Sequence, residues 1–473
     1  MPPLALFTEY YYAIRKPEDS QAVKFQYFSY NVAMEFIKNL IPEAVLKFIR
    51  PVYHGLVALM ASVYFGRPSE KMVVIGVTGT TGKSTTIAML GQILNFLGKK
   101  TGYITTVKFF NGNQDFLNKH GLSMPGGWLL QKQLKQIKDN GCNYAIVECT
   151  SEGLAQNRHL GINFDVVLFT NLSHAHLEAH GSFGNYRQAK GRLFDGLYKG
   201  KKKSFFPQKI IGVNCDDPMS GYFLSFEADK KFGVSFNRVQ TRDAQKVFFA
   251  KALQTSTPMQ LDLDGTIFTL NLLGVFNLKN ASLAVAAAES LGVDLATSAK
   301  ALNDFRGVRG RMEKVANVLG FQVIVDYGCE PASIQAALEE STQLGHNRLI
   351  HVFGSTGGHR DVAKRFAFGK ISAQYADKIV VTNDDVYDSN PEEIAKNIEQ
   401  GIQSFKLRKP EYQIVLDRRE AIAKALSIAK KDDIVLITGK GSEQFLVLPG
   451  NKRIEWDDVM VVKEEIGKLA ERN

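Results

Sequence analysis

The sequence predicts an α/β protein, with a phosphate-loop domain on a mostly parallel sheet, a Rossmann-like domain after it and a short helical segment before it. Three observations carry that prediction. β-branched and apolar runs alternate with stretches of helical periodicity along most of the chain, the pattern of parallel strands joined by crossover helices. Residues 74–86 read VIGVTGTTGKSTT, a buried-strand run that opens into a glycine-rich turn and then a helix. A chain of 473 residues, 45% of them apolar, is too long for one ordinary domain and can bury more than one core.

Taken in order, residues 1–70 read as helices with aromatic faces (Tyr10, Tyr11, Tyr12, Phe25, Tyr27, Phe28) and hold no nucleotide-binding βαβ unit. Their most apolar stretch, Gly55 to Phe65, is 11 residues long and too short to span a bilayer. It is expected to pack as a helix on the nucleotide domain. The alternative is an interfacial membrane contact, with Lys47 and Arg50 nearby. Residues 71–306 carry the phosphate loop, strands at Tyr144–Val147 and Asp165–Phe169, and an alanine-rich helix at Asn280–Leu291. Gly307-Val308-Arg309-Gly310-Arg311 reads as a hinge into residues 307–473. There, strands near Val323–Asp326, Leu349–Phe353, Ile379–Thr382 and Ile434–Thr438 alternate with helices, as in a doubly wound sheet.

The formal charge of +10 does not by itself indicate nucleic acid. The chain has no basic stripe interleaved with aromatics, only a local run (Lys199, Lys201, Lys202, Lys203) that reads as a solvated loop. Attraction for polyanionic substrates such as nucleotides accounts for the surplus. Cys142, Cys149, Cys215 and Cys329 lack metal-site spacing and form no disulfide framework, so a reducing, cytoplasmic setting is expected. The N-terminus lacks the pattern of a signal peptide, and no transmembrane segment is predicted.

The chemistry begins in the loop Gly79-Thr80-Thr81-Gly82-Lys83-Ser84-Thr85. Backbone N–H groups and the start of the following helix can cradle a phosphate, while Lys83 reaches the outer phosphates and Ser84 offers a hydroxyl to magnesium. Val77 stands where the strict pattern has its first glycine, between Gly76 and Gly79, so this is a variant loop. Glu148 ends an apolar strand, where a magnesium ligand belongs in an α/β nucleotide domain. After the next strand, three histidines fall within seven residues (His174, His176, His180). No cysteine partners them, so a magnesium-site role fits better than zinc.

These segments, together with Tyr186-Arg-Gln-Ala-Lys190-Gly-Arg-Leu-Phe194, Gly274-Val-Phe-Asn277, Gly307-Val-Arg-Gly-Arg311-Met-Glu313, Asp326-Tyr327 and Gly439-Lys-Gly-Ser-Glu443, resemble the Mur ligase family in order and spacing. The likeness is strongest to the branch that adds the third peptide residue of peptidoglycan, and it covers about residues 71 to 473. It implies an ATP-dependent amide-bond ligase. A substrate carboxylate attacks the γ-phosphate to give an acyl phosphate and ADP, and an amine then displaces phosphate. By motif match, Lys83, Glu148, His176 and Lys190 are the catalytic set. Ser84 and Glu148 would hold one magnesium ion, and His176 a second with Lys190, which is carbamylated in this family. Asn277, Arg311 and Asp326 match ATP contacts. Asp384, Asp385, Tyr387, Gly439 and Glu443 fall where the incoming amino acid is bound.

The chain departs from the family in several places. Its first domain, a UDP-binding α/β unit, has no counterpart in residues 1–70. Glu152, Cys329 and Ser442 replace histidines, and Ala175 replaces an acidic residue before His176. Relatives that add meso-diaminopimelate carry Asp-Asn-Pro-Arg at the segment that here reads Asn383-Asp384-Asp385-Val386-Tyr387, and Tyr387 cannot make the arginine's bidentate clamp. The amine is therefore left open, with Asp384 or Asp385 able to meet an ammonium. Two other readings remain: a folylpolyglutamate-synthase-like or other peptide ligase with a non-UDP acceptor, and a nucleotide-binding ligase-like subunit of an amidotransferase complex.

Overall fold

A computed structural model describes residues 43–119, 121, 123–173, 180–358 and 362–471, with side chains from residue 49. The first sheet has β1 (Val73–Thr78), β2 (Thr101–Ile104), β3 (Lys108–Phe110), β4 (Asp115–Leu117), β5 (Tyr144–Glu148), β6 (Val166–Phe169), β7 (Ile210–Asn214), β8 (Lys230–Ser235), β9 (Lys246–Gln254), β10 (Met259–Leu263) and β11 (Thr266–Leu270). Its order is β11-β10-β9-β8-β7-β6-β1-β5-β2-β3-β4. The stretch from β9 to β2 is parallel, and antiparallel strands extend both ends. All six residues of β1 are buried. Val73, Ile75 and Val77 face a core shared with helices Lys83–Phe96 and Phe276–Ser290. Val74 faces the opposite core, with Leu130, Leu134 and Phe194. Burial on both faces explains why this strand reads as a continuous apolar run.

The antiparallel additions were not anticipated, although one had a local signal. Asp264-Gly265, at φ of 47° and 83°, joins β10 to β11 as a two-residue hairpin between alternating apolar residues.

The second sheet has β12 (Glu313–Val315), β13 (Gln322–Asp326), β14 (Leu349–Phe353), β15 (Lys378–Val381), β16 (Glu411–Ile414) and β17 (Ile434–Thr438), in the order β12-β13-β17-β14-β15-β16. Only β12 runs antiparallel. A separate hairpin, β18 (Phe445–Leu448) and β19 (Lys452–Glu455), follows. The two sheets are tied by Glu340, whose carboxylate accepts from the Gly274 and Val275 N–H groups (3.0 Å each), and the hinge is held to the second unit by Arg309 on Asp457 (2.8 Å).

One expectation is met and one needs correction. The apolar stretch 55–65 is part of a longer helix, Glu43–Tyr64. Ala58 packs against Gly127, and Ser62 against Gly161, while Leu56, Met60 and Val63 on the other side are exposed. No described helix is long and apolar enough to cross a membrane. In the basic run, Lys203 is not solvated. It is buried against Asp165, because its ammonium also finds the Met72 and Asn163 carbonyls (2.7 and 3.0 Å).

Candidate active site

The carboxyl ends of the central strands of both sheets open on one cavity of about 620 Å³. Ligands of α/β sheets bind at such strand ends. From the first sheet come the loop after β1, Glu148 at the end of β5 and Thr170 after β6. From the second come Asp326 at the end of β13, Asp384 and Asp385 after β15, and Gly439 after β17.

The loop 79–85 lines the cavity and admits no side chain at its two glycines. A Cβ on Gly79 (φ 153°) would stand 1.9 Å from Thr170 Oγ1, and one on Gly82 (φ 80°) 2.2 Å from Asn280 Oδ1. Lys83 begins the helix and folds back to donate to the Gly79 and Thr80 carbonyls (3.1 and 2.9 Å), 3.9 Å from Glu148. Burial pulls its pKa below the usual lysine value, against the opposing pull of Glu148. Ser84 Oγ donates to Glu148 at 2.6 Å, and the same carboxylate accepts from the Thr106 N–H (2.9 Å) and hydroxyl (2.7 Å).

Lys190 reaches the same place from helix Phe183–Lys199. It is fully enclosed, donates to Gly79 O at 2.7 Å and lies 4.6 Å from the centre of the Tyr186 ring. Burial, and then the Lys83 charge, push its pKa well down. Two lysines thus share one carbonyl at the cavity wall.

On the facing wall, Asp326 accepts from the Met312 and Gly328 N–H groups (2.8 and 2.7 Å). Arg311 stacks 4.2 Å from the centre of the Tyr327 ring. Its Nε has no hydrogen-bond partner although it is buried. Lys440 is surrounded by Asp385 (2.8 Å), Glu443 and Asp384 (3.9 Å). Burial opposes its charge, but the three carboxylates outweigh that and raise its pKa. Buried Arg418 grips Asp458 with two bonds (2.8 and 2.7 Å) and donates to the Asn383 and Thr438 carbonyls, which fixes the loops that carry Asp384 and Gly439.

Of the residues expected at the site, all of the loop, Glu148, Lys190, Arg311, Asp326, Asp384, Asp385, Tyr387, Gly439 and Glu443 line this cavity. His176 lies outside the described residues. Asn277 stands three residues too early. Its amide donates to Leu273 O (2.7 Å) and its carbonyl accepts from Asn280 (2.9 Å), so Asn280 is the side chain that reaches the cavity. Sequence reasoning also passed over Thr106, Arg158 and Arg453 on the wall. Thr106 follows a short strand with no motif around it.

Comparison with known proteins agrees with this arrangement. The Mur ligase middle domain model matches residues 77–288, and the model of the Mur ligase, glutamate ligase domain matches 310–441. The UDP-N-acetylmuramoyl-L-alanyl-D-glutamate–2,6-diaminopimelate ligase of Geobacillus kaustophilus is 35% identical over 412 residues, 86% of this chain and 82% of that protein. The chain belongs to the Mur ligase family.

A solved structure of a UDP-N-acetylmuramoyl-L-alanyl-D-glutamate–2,6-diaminopimelate ligase superposes with a TM-score of 0.55 and 26% identity, covering 84% of this Mur ligase and 79% of that chain. The folylpolyglutamate synthase of Mycobacterium tuberculosis, at 18% identity, shares the fold (TM-score 0.62, over 81% of this chain and 92% of that one). This Mur ligase is accordingly an ATP-dependent, ADP-forming ligase that uses ATP and Mg²⁺. The donor set suits that ion, since a hydroxyl beside a carboxylate at a phosphate loop offers hard oxygen ligands. No group of three or more His, Cys, Asp or Glu side chains among the described residues is placed to hold a metal ion by itself.

Proposed function

We propose that this Mur ligase joins an amino acid to the terminal carboxylate of a UDP-MurNAc-dipeptide-like acceptor, in the cytoplasm, as a step in making peptidoglycan precursors. The observation that carries the proposal is the shared cavity. A phosphate loop, a hydroxyl–carboxylate pair and a buried lysine on one wall face the charged side chains Arg311, Asp326, Asp384, Asp385 and Glu443 on the other. The acceptor is the one in the names of the relatives, and the pathway is that of the family.

The acceptor carboxylate attacks the γ-phosphorus and ADP leaves, giving an acyl phosphate. The amine then attacks the acyl carbon, and the tetrahedral adduct collapses with loss of phosphate and of the amine's proton. Lys83 sits where the transferring phosphoryl group gathers charge and stabilises it electrostatically. The backbone N–H groups of residues 79–85 orient the phosphates, and Asn280, Arg311 and Asp326 hold the rest of the nucleotide against the second sheet. Ser84 and Glu148 would hold Mg²⁺, which neutralises charge on the phosphates when bound. His176 and a carbamylated Lys190 would hold a second ion. Carbamylation joins the Lys190 nitrogen to CO₂, and two protons leave the ammonium as the N–C bond forms. It replaces a buried cation beside Lys83 with an anion, which removes the repulsion between two ammonium groups that share the Gly79 carbonyl.

The test supplies the protein with ATP, Mg²⁺, UDP-MurNAc-dipeptide and a panel of amino acids, then follows phosphate release and product mass. The expected result is release that needs both acceptor and amine, with a product heavier by one residue. If no amino acid stimulates release, this acceptor is wrong. Lys190→Ala should lose activity that acetate partly restores, whereas wild-type-like turnover in that variant would remove the carbamate.

A further inference from the structure

We propose that Arg453 selects the incoming amine by binding a carboxylate at the far end of its side chain, so that the preferred substrate carries both an ammonium and a carboxylate there. The proposal rests on the ligase reading of the site.

Arg453 is placed by pairing rather than by any motif. In the β18–β19 hairpin it lies opposite Val447, on the same face as Phe445, and its guanidinium stacks 4.3 Å from the centre of the Phe445 ring. That hairpin is bonded to the loop that carries Tyr387. Val386 N–H donates to Val447 O (2.9 Å), Val447 N–H to Asp385 Oδ1 (2.8 Å), and Gly450 N–H to Tyr387 O (3.0 Å). An arginine on β19 therefore reaches the part of the cavity that Tyr387 borders, and both residues line it. Phe445, the ring under the guanidinium, would clash with any Cβ on Gly121, so the first sheet's loop closes over the same spot.

Two neighbouring cations of the second sheet's wall are held by carboxylates, and a third, like Arg453, is held over a ring. Lys440 is held by Asp385 and Glu443, Lys364 by Glu330 (2.7 Å), and Arg311 lies over Tyr327. Arg453 makes no hydrogen bond or ion pair to a described residue. A planar guanidinium held on an aromatic face presents its N–H edge to a carboxylate in bidentate fashion. Beside it, three carboxylates surround the single Lys440 ammonium. This excess of negative charge suits an ammonium on the same ligand.

The experiment compares meso-diaminopimelate with L-lysine, which has the same chain but no distal carboxylate, in wild type, Arg453→Ala and Arg453→Lys. Wild type should favour meso-diaminopimelate. Arg453→Ala should raise its KM about 10- to 100-fold with kcat nearly kept, as for a lost charged hydrogen bond, leave lysine turnover unchanged, and be partly rescued in Arg453→Lys. An unchanged ratio in Arg453→Ala, or a wild type that prefers lysine, overturns the proposal. Calorimetric titration of meso-diaminopimelate into protein loaded with a non-hydrolysable ATP analogue separates the two readings. Binding that Arg453→Ala abolishes upholds the arginine's role even if the acceptor is wrong, and no binding to wild type overturns it.

Discussion

Two pairs of buried lysines sit at opposite ends of the same sheet, and the protein satisfies them to different degrees. At the amino-terminal end of β6, Lys203 and Lys209 flank Asp165. Lys203 has the Met72 and Asn163 carbonyls and Asp165. Lys209 has Asn163 Oδ1, the Phe164 carbonyl and Asp165. Each ammonium has three donors, and each finds three acceptors. At the carboxyl end, Lys190 donates among the described residues to Gly79 O alone and Lys83 to two carbonyls, with Glu148 at 3.9 Å and already bonded to Ser84 and Thr106. Burial is common to both pairs. The difference is that the first pair is complete within the fold, whereas the second is left short of acceptors among the described residues, as the proposed phosphate partner of Lys83 and carbamylation of Lys190 require.

The largest expected effect lies in the second pair. Lys83→Met should lower kcat by about a thousandfold or more, because transition-state charge loses its fixed partner. In protein stripped of CO₂, its thermal midpoint should stay level or rise, since one of two crowded cations is gone. A clear fall in stability would erase the contrast.

Next comes Asp165→Ala, which strands two buried ammonium groups and should lose about 3–5 kcal/mol in denaturant unfolding. The specific activity of the folded fraction should be retained. Loss of turnover without loss of stability would place Asp165 among functional groups instead.

Glu340→Gln is smaller, about 1–3 kcal/mol, because one of its two charged hydrogen bonds becomes neutral and the other is lost where the amide NH₂ meets an N–H donor. Glu340 sets the turn before helix Phe276–Ser290, and Phe276 lines the cavity, so KM for ATP should rise while kcat changes little.

The smallest effect tests whether satisfaction alone makes a buried ionisable group harmless. His351 is buried between Ser372 Oγ (2.9 Å) and Thr438 Oγ1 (3.0 Å), and burial pushes its pKa down to about 3 from 6.5. Below pH 6.5 the unfolded chain takes up a proton that the folded one refuses, so stability falls as pH drops through that value. Between pH 7 and 5.5 the wild type should lose about 1 kcal/mol more than His351→Asn in urea unfolding. Equal losses would assign the acid sensitivity to other groups.

The legible and illegible parts of the sequence divide along similar lines. The loop 79–85, strand β1 and the ends of β5 and β13 could be read because strand, turn and helix there are contiguous and carry period and composition. Lys203 could not, since its partner Asp165 lies 38 residues away and a run of lysines is ordinarily solvated. Asn277 and Asn280 differ by less than one helical turn, and only the packing of helix Phe276–Ser290 decides which faces the cavity. Arg453 depended on a hairpin register. The Asp264-Gly265 turn was different, as its signal was local and was passed over.

The claim that binds the account together is that the site moves a phosphoryl group onto a carboxylate. Acceptor labelled with ¹⁸O in that carboxylate, turned over with ATP and amine, tests it in one measurement. Mass analysis of the released phosphate should find one ¹⁸O per turnover, carried from the carboxylate through the acyl phosphate. Phosphate free of label alongside amide product would contradict it.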